Sequence, residues 1–568
     1  MTKTSLFAKY FIFVQRSSLL ALATLGLVIL PIGLATAQEI PAEKTPSAPL
    51  INNILGHLKV LGDDTMEGRG AGTPGGELAA DYIESQLKEI GLPPVLDGYR
   101  QPVPMHGSLP LSQSRLTLLD VPGQEKEMEL ALWDDYVLFR TGAQTFLPEP
   151  TPLVFVAYGI VAPEYDYNDY LRTDVAGRIV VILEGEPPSN DDAYFEGLKP
   201  TVHSDPEMKF RTALSRGARG AILIPSPREA SFLDWRQILS AFQTEDVTLP
   251  YRITGNLNVL LHFEKAPLLF ANAPVSFIEM LGQDADGSLA GFPLNIRARF
   301  TGAFKERDFA ADNVMAWLPG NDPLLRESYI LVSAHYDHLG IGRPVNGDAI
   351  YNGVVDNASG TAVTLELARV LAQQKEKNKR SFIFLFVTGE EKGLLGSRYY
   401  CDHPAVPLSK TIAAVNIDGI SIIDTTSLFV GVGADLSTLG SHLDETLQGM
   451  NLYLGKIPAI FQIQEPFHHS DQLAFAQAGI PSILVMEGFG FRNVPVNDGI
   501  RRFIEWSKER YHTPFDDLGQ PLNSAAMEQH ATVLLAFLRR LGDTAVEPQW
   551  LPGAPFVGAR LRSMAEKR

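Results

Sequence analysis

Two adjacent glutamates, Glu390 and Glu391, follow the apolar run Phe382–Val387 in the stretch SFIFLFVTGEEKGLLGS. The run reads as a strand buried on both faces, as strands of a parallel sheet do, and Thr388-Gly389 end it. Neighbouring carboxylates repel unless water or a cation shields them. Other metal-capable side chains also fall after strand-like runs. His335, Tyr336 and Asp337 follow YILVSA, Asp356 stands in VVDNASG before a helical stretch, and Asp418 follows AAVNI. Tyr511 and His512 lie in ERYHTPFDD, well beyond the run SILVM. Open α/β sheets build their sites beyond the carboxyl ends of the strands, so these residues are expected at one edge.

Imidazole nitrogen and carboxylate oxygen are zinc donors, and a catalytic zinc keeps a position open for water. Asp356, Glu390, Glu391 and Asp418 bring four negative charges, which two Zn²⁺ ions neutralise. Singly, each residue has an ordinary explanation. His335 could be a core histidine, Asp356 a turn or N-cap aspartate, the glutamates a solvated loop, Asp418 a strand-end residue bonded to backbone, and His512 a loop histidine. The convergence of five separate segments on one edge is what argues for a metal centre.

Positioning them requires alternating strands and helices. Strand candidates are 329–334, 382–387, 413–417, 428–432 and 482–486; helix candidates are 359–374, 394–401, 436–450, 470–478 and 523–541. This alternation predicts an α/β fold, a mostly parallel central sheet flanked by helices. Upstream, PGGELAADYIESQLKEIGL (74–92) has a helical pattern, with Leu78, Ala79, Tyr82, Ile83 and Leu87 on one face and Gly91 as its C-cap. Residues 106–300 differ in texture. Short β-like runs such as PLVFVAYGI, RIVVILEG and GAILIPS, separated by Pro, Gly and Asp, predict an inserted β-rich domain. Residues 51–105 and 301–545 would then be two parts of the domain carrying the site, with 546–568 as a C-terminal tail.

The 568 residues are 45% hydrophobic and 20% charged, ordinary for a globular chain. The beginning is not ordinary. Lys3, Lys9 and Arg16 precede the apolar stretch Leu19–Leu34 and then Ala35-Thr36-Ala37, the pattern of a signal peptide over 1–37. Its cleavage predicts a periplasmic or secreted protein with no stable membrane insertion; uncleaved, it would be an N-terminal anchor. Removing it takes three positive charges and no negative ones, moving the formal charge from −18 to −21. So acidic a chain lacks the clustered Lys and Arg that nucleic acid requires. With Cys401 as the single cysteine, no intramolecular disulfide can form.

The set SAHYDHLG, VVDNASGTA, TGEEKGLLGS, VNIDG, HHSDQLAFAQAGIPS and YHTPFDD resembles the zinc-dependent aminopeptidase family, which includes secreted bacterial di-zinc aminopeptidases and, more distantly, glutamate carboxypeptidase and glutaminyl cyclase. DDTMEGRGAGTPGGELAADYI resembles that family's amino-terminal segment, and the β-rich insert is similar to a protease-associated domain. The resemblance implies that His335 and Asp418 bind one zinc, Glu391 and His512 the other, and Asp356 both. It implies Glu390 as general base, Asp337 as the carboxylate fixing the tautomer of His335, Tyr511 as a donor to the oxyanion, and peptides as substrates. One departure is Ser470-Asp471-Gln472, where the family often has SDH, and no catalytic part is assigned to it. Another is the long segment FGFRNVPVNDGIRRFIEWSKER, expected as a loop or helix over the pocket. Its Arg492, Arg501 and Arg502 could instead read a substrate carboxylate, so a carboxypeptidase or dipeptidase is an alternative, with glutaminyl cyclase and a non-catalytic binding protein behind it.

Overall fold

The apolar run ending at Val387 lies in the middle of a nine-stranded sheet. The structure is a computed structural model and describes residues 48–123, 127–139, 141–191, 193–197, 201–227, 235–242, 245–252, 255–419, 422–458, 461 and 466–565. The expected signal segment, 1–37, lies outside the described residues. Among the described residues, no helix is long and apolar enough to cross a membrane.

The strands of the main sheet are β1 (Arg100–Pro110), β2 (Asp246–Thr248), β3 (Phe304–Leu318), β4 (Tyr329–His335), β5 (Ser381–Val387), β6 (Thr411–Asn416), β7 (Leu428–Val432), β8 (Tyr453–Gly455) and β9 (Ser482–Glu487). Their spatial order is β2-β1-β3-β5-β4-β6-β9-β7-β8. The central four, β5-β4-β6-β9, are mutually parallel, whereas β3 joins β5 and β7 joins β9 antiparallel. The sheet is therefore parallel at its centre and mixed at its flanks. The parallel centre matters for function, because it points the carboxyl ends of β4, β5 and β6 in one direction.

Strand β5 shows why the centre is so apolar. Phe382, Phe384 and Phe386 pack on one face with Ile54, Ile83, Leu365 and Leu538, while Ile383, Leu385 and Val387 pack on the other with Tyr400, Phe475 and Ile480. The first layer uses the helices α1 (Ala48–Leu61), α2 (Pro74–Ile90), α3 (Ser359–Gln373) and α5 (Leu439–Gly449), together with α8 (Ser524–Asp543). The second uses α4 (Leu395–Asp402) and α6 (Gln472–Gln477). Helix α7 (Val496–Glu509) lies in the long segment before Tyr511, and α9 (Val557–Ala565) follows buried Trp550 and Phe556.

Helix α2 ends as its sequence predicts, with Gly91 in the left-handed conformation at φ 81° and its N–H donating to Leu87 O and Lys88 O. Its buried face differs in one place. Leu78 is 47% exposed and Ala80 is buried instead, because the small residues Gly75, Gly76, Ala79 and Ala80 let the helix approach the underlying turn closely.

Between Arg115 and Thr301 the chain builds a second, eight-stranded sheet with its own core, including Phe155, Val181, Ile222 and Phe300. One segment of that stretch, β2, leaves it to pair with β1 in the main sheet. Strand β1 contains three prolines, which argue against a strand. Pro102 and Pro104 share one parity, and β2 covers only residues 106–108. The missing N–H groups therefore fall on a free edge, where they disrupt no ladder.

Phe384 is fully buried in the first layer. Phe384→Ala is expected to lower stability by about 3–5 kcal/mol, read by denaturant unfolding of the metal-free protein; a loss under about 1 kcal/mol would contradict this account of the core.

Candidate metal centre

Strand β4 ends on His335, whose ring is buried. Its Nε2 lies 3.3 Å from Asp356 Oδ1 and 3.3 Å from Asp418 Oδ1. Asp356 stands in the irregular turn Val354–Ala358 that leads into α3. Its other oxygen, Oδ2, is 3.2 Å from His512 Nε2, which is also 3.1 Å from Glu391 Oε2. A single carboxylate thus faces one histidine with each oxygen. Glu390 groups with His335 and Asp418, its ligand atom within 4.8 Å of theirs. All the expected donors come together: His335, Asp356, Glu391, Asp418 and His512, with Glu390 beside them.

Two placements refine the expectation. The carboxylate of Asp337 is 3.9 Å from His335 Nδ1, whereas the main-chain oxygen of Asp337 is 3.1 Å away. The ring is thus oriented by a backbone carbonyl, and Asp337 Oδ1 instead accepts the Glu390 N–H at 3.1 Å. Tyr511 stacks on His512, ring centroids 3.9 Å apart and planes at 19°.

Sequence reasoning overlooked His338. Its Nδ1 lies 2.5 Å from Glu391 Oε1, the oxygen that does not face His512, and its buried Nε2 has no hydrogen-bond partner. The second histidine of HYDH was in plain view, but the H-x-D pattern gave it no place. Asp471 is also more involved than expected. Its neighbours Ser470 and Gln472 accept hydrogen bonds from Asn416 Nδ2, at 2.7 and 3.0 Å, and so pin the strand end before Asp418. Asp471 itself is fully buried, and burial pushes its carboxyl up to about 7 against the pull of His335 and of the Ser397 hydroxyl.

The electrostatics test whether a cation fits. Burial alone would keep His512 neutral, yet Glu391 and Asp356 raise it to about 10. His335 is likewise driven well above its usual range, its burial outweighed by Glu390, Asp418 and Asp356. Burial would raise Asp356, but His335 and His512 take it well below the ordinary carboxylate range. Protons on these imidazoles supply positive charge among the donors themselves, and His512 Nε2 sits near two carboxylates without meeting hydrogen-bond geometry. Nitrogen and oxygen donors converging on one another, with too few protons to share, fit divalent metal such as zinc. Glu390 stands apart in character. Burial raises its carboxyl well above the usual range, opposed by His335 and aided by Asp471, Asp418 and Glu391.

A sheet parallel at its centre, with imidazole and carboxylate donors gathered beyond its strand ends, defines a metal-binding protein of the α/β class. Residues 313–538, which contain every one of these donors, match the family model of peptidase family M28. Over 106 residues the chain is 36% identical to a probable zinc metalloprotease of Pyrenophora tritici-repentis, covering 18% of this chain and 23% of that protein. Over 186 residues it is 30% identical to a probable leucine aminopeptidase 2 of Aspergillus oryzae, covering 31% and 34%. The matched segments thus span about a quarter to a third of the length of these relatives. An aminopeptidase structure from Aneurinibacillus sp. strain AM-1 shares the fold, with a TM-score of 0.51 at 18% identity over 86% of this chain and 93% of that one.

Because His335 and His512 hold protons at neutral pH in the metal-free protein, a divalent metal must displace them, and affinity weakens as pH falls. Saturating the chelated protein with zinc at pH 7 is expected to release at least about two protons per chain, read by calorimetry in buffers of different ionisation heat. Binding without proton release would contradict the arrangement.

Proposed function

We propose that the chain is an exported di-zinc aminopeptidase, hydrolysing the amino-terminal bond of peptides. The observation that carries the reading is Asp356, one oxygen toward His335 and the other toward His512, as a carboxylate bridging two cations must be. His335 and Asp418 would hold one zinc, Glu391 and His512 the second. When bound, the pair supplies Lewis acidity toward a carbonyl and makes water acidic enough to attack near neutral pH.

The chain's own groups do the rest. Glu390, buried beside His335 and Asp418, takes the proton of the attacking water and returns it to the departing amine. A carboxylate whose affinity for protons is raised by burial takes the proton from water more readily than an exposed glutamate would, and once protonated it is still acidic enough to pass that proton to a departing amine. Tyr511 donates its hydroxyl proton to the oxyanion. Burial of part of the residue, followed by the nearby carboxylates Asp356, Glu391 and Glu390, raises the phenol well above its ordinary range and keeps it in its donating form. His338 holds the rear oxygen of Glu391, which fixes the rotamer of that side chain.

The alternative of a carboxypeptidase or dipeptidase needs an arginine free for the substrate carboxylate. Of the three candidates, Arg501 is exposed and engaged by Glu505 at 2.9 Å and Asp498 at 3.4 Å, which leaves Arg492 and Arg502 for that role; the aminopeptidase reading ranks first on the likeness to the probable leucine aminopeptidase 2. A chain of aromatic rings links Tyr511 through Trp506 and Phe503 to Phe489, with successive centroids 5.9, 6.4 and 5.8 Å apart. They support an apolar first side chain. Export rests on residues 1–37.

The deciding experiment uses paired peptides, one blocked by N-acetylation and the other by C-terminal amidation. Cleavage is expected only where the amino terminus is free; cleavage restricted to free carboxyl termini would establish the alternative. Glu390→Gln is expected to retain zinc while kcat falls by about 10²–10⁴. A near-normal rate in that variant would remove Glu390 as the base.

A further inference from the structure

The loop carrying Asp356 is gripped by two buried charges that do not pair with each other. Arg69, on the turn between α1 and α2, is fully buried. Its Nε donates to Tyr336 O at 2.7 Å, Nη1 to Leu61 O at 2.6 Å and Asn352 O at 2.5 Å, and Nη2 to Gly353 O at 2.7 Å. On the other side, the Asp516 carboxylate accepts Val355 N–H at 3.0 Å and Asp356 N–H at 3.1 Å, and its main-chain oxygen accepts Val354 N–H at 3.0 Å. Gln520 Nε2 also donates to that carboxylate. The segment 352–356 therefore presents its carbonyls to a cation and its amides to an anion.

The surrounding turn is built for this contact. Gly68 has φ +65°, and a Cβ there would stand 2.3 Å from Tyr351 O. Arg69 O accepts His338 N–H at 3.2 Å, so the same residue also touches the segment bearing His335 and His338. Asn352 Nδ2 donates back to Asp64 Oδ1 at 2.9 Å.

We propose that Arg69 and Asp516 are a positioning pair, two buried charges solvated by the 352–356 loop itself, that set the bridging carboxylate of Asp356 between the two cation positions. A buried charge is tolerated only where hydrogen bonds satisfy it, and charge-assisted bonds are the stronger kind. Moving the loop would strip partners from both charges at once, so its place is held from both sides. Lysine cannot substitute for Arg69, because one ammonium cannot fork to four carbonyls on three segments. The role toward metal rests on the reading of the cluster as a metal centre; the grip on the loop does not.

The test compares the full chain with Arg69→Lys and Asp516→Asn. In the metal-free proteins, amide hydrogen exchange across 352–358 is expected to accelerate about tenfold or more in both variants, while β5 and α8 keep their protection. Zinc affinity, measured by competition with a chromophoric chelator, is expected to fall about 10- to 100-fold, and kcat to fall with KM nearly unchanged. Exchange and zinc affinity within about twofold of the parent in Asp516→Asn would overturn the proposal, also if Arg69→Lys fails to fold. A parent that binds no zinc would overturn the metal reading instead, and the exchange arm would still decide whether the pair grips the loop.

Discussion

Carboxylates crowded out of water are the constraint around which this molecule is arranged. Two unit charges of like sign 4 Å apart repel by about 4 kcal/mol at the effective dielectric of a protein near its surface. A few such pairs rival the 5–15 kcal/mol, in round terms, by which whole domains are stable. Asp356 and Glu390 are buried beside the partly buried Glu391 and Asp418, with Asp337 and Asp471 also buried within electrostatic reach. Protonated histidines relieve part of this repulsion, and the raised His335 and His512 are the trace of it. A pair of divalent cations would relieve it more fully, which is the physical reason for the proposed metal-dependent hydrolysis.

The sheet turns this local demand into geometry. Parallel β4, β5 and β6 deliver His335, the two glutamates and Asp418 to one edge, and the crossover into α3 adds Asp356. His512 comes from beyond β9, on the segment that follows α7. The interior needed to hold these ends still is supplied on both faces, by phenylalanines of one parity and aliphatic residues of the other in β5. Arg69 and Asp516 then act at a level between sheet and site, fixing a loop by its own peptide dipoles.

Much of this was legible because parallel strands are nearly unbroken apolar runs and because chemistry collects at their ends. Central strands and helices were readable to within a few residues, as were the six residues around the proposed cations. The rest escaped for physical reasons. Strand β1 is hidden by prolines that its free edge tolerates. The outer half of β3, FKERDFAAD, is charged and exposed, so periodicity has little apolar contrast there. His338 was passed over because its partner, Glu391, is 53 positions away. Arg69 bonds Asn352 across 283 positions, a closeness that only the folded chain creates. Asp337 was expected to orient His335 through its carboxylate, but a backbone carbonyl is nearer, and no side-chain pattern encodes that.

The central claim is that two cations share Asp356. Anomalous diffraction from crystals of the zinc-saturated protein tests it most directly. The account predicts two peaks roughly 3.5–4 Å apart, one beside His335 and Asp418, the other beside Glu391 and His512, with Asp356 between them. A single peak at saturating zinc, or peaks away from these five residues, would contradict it.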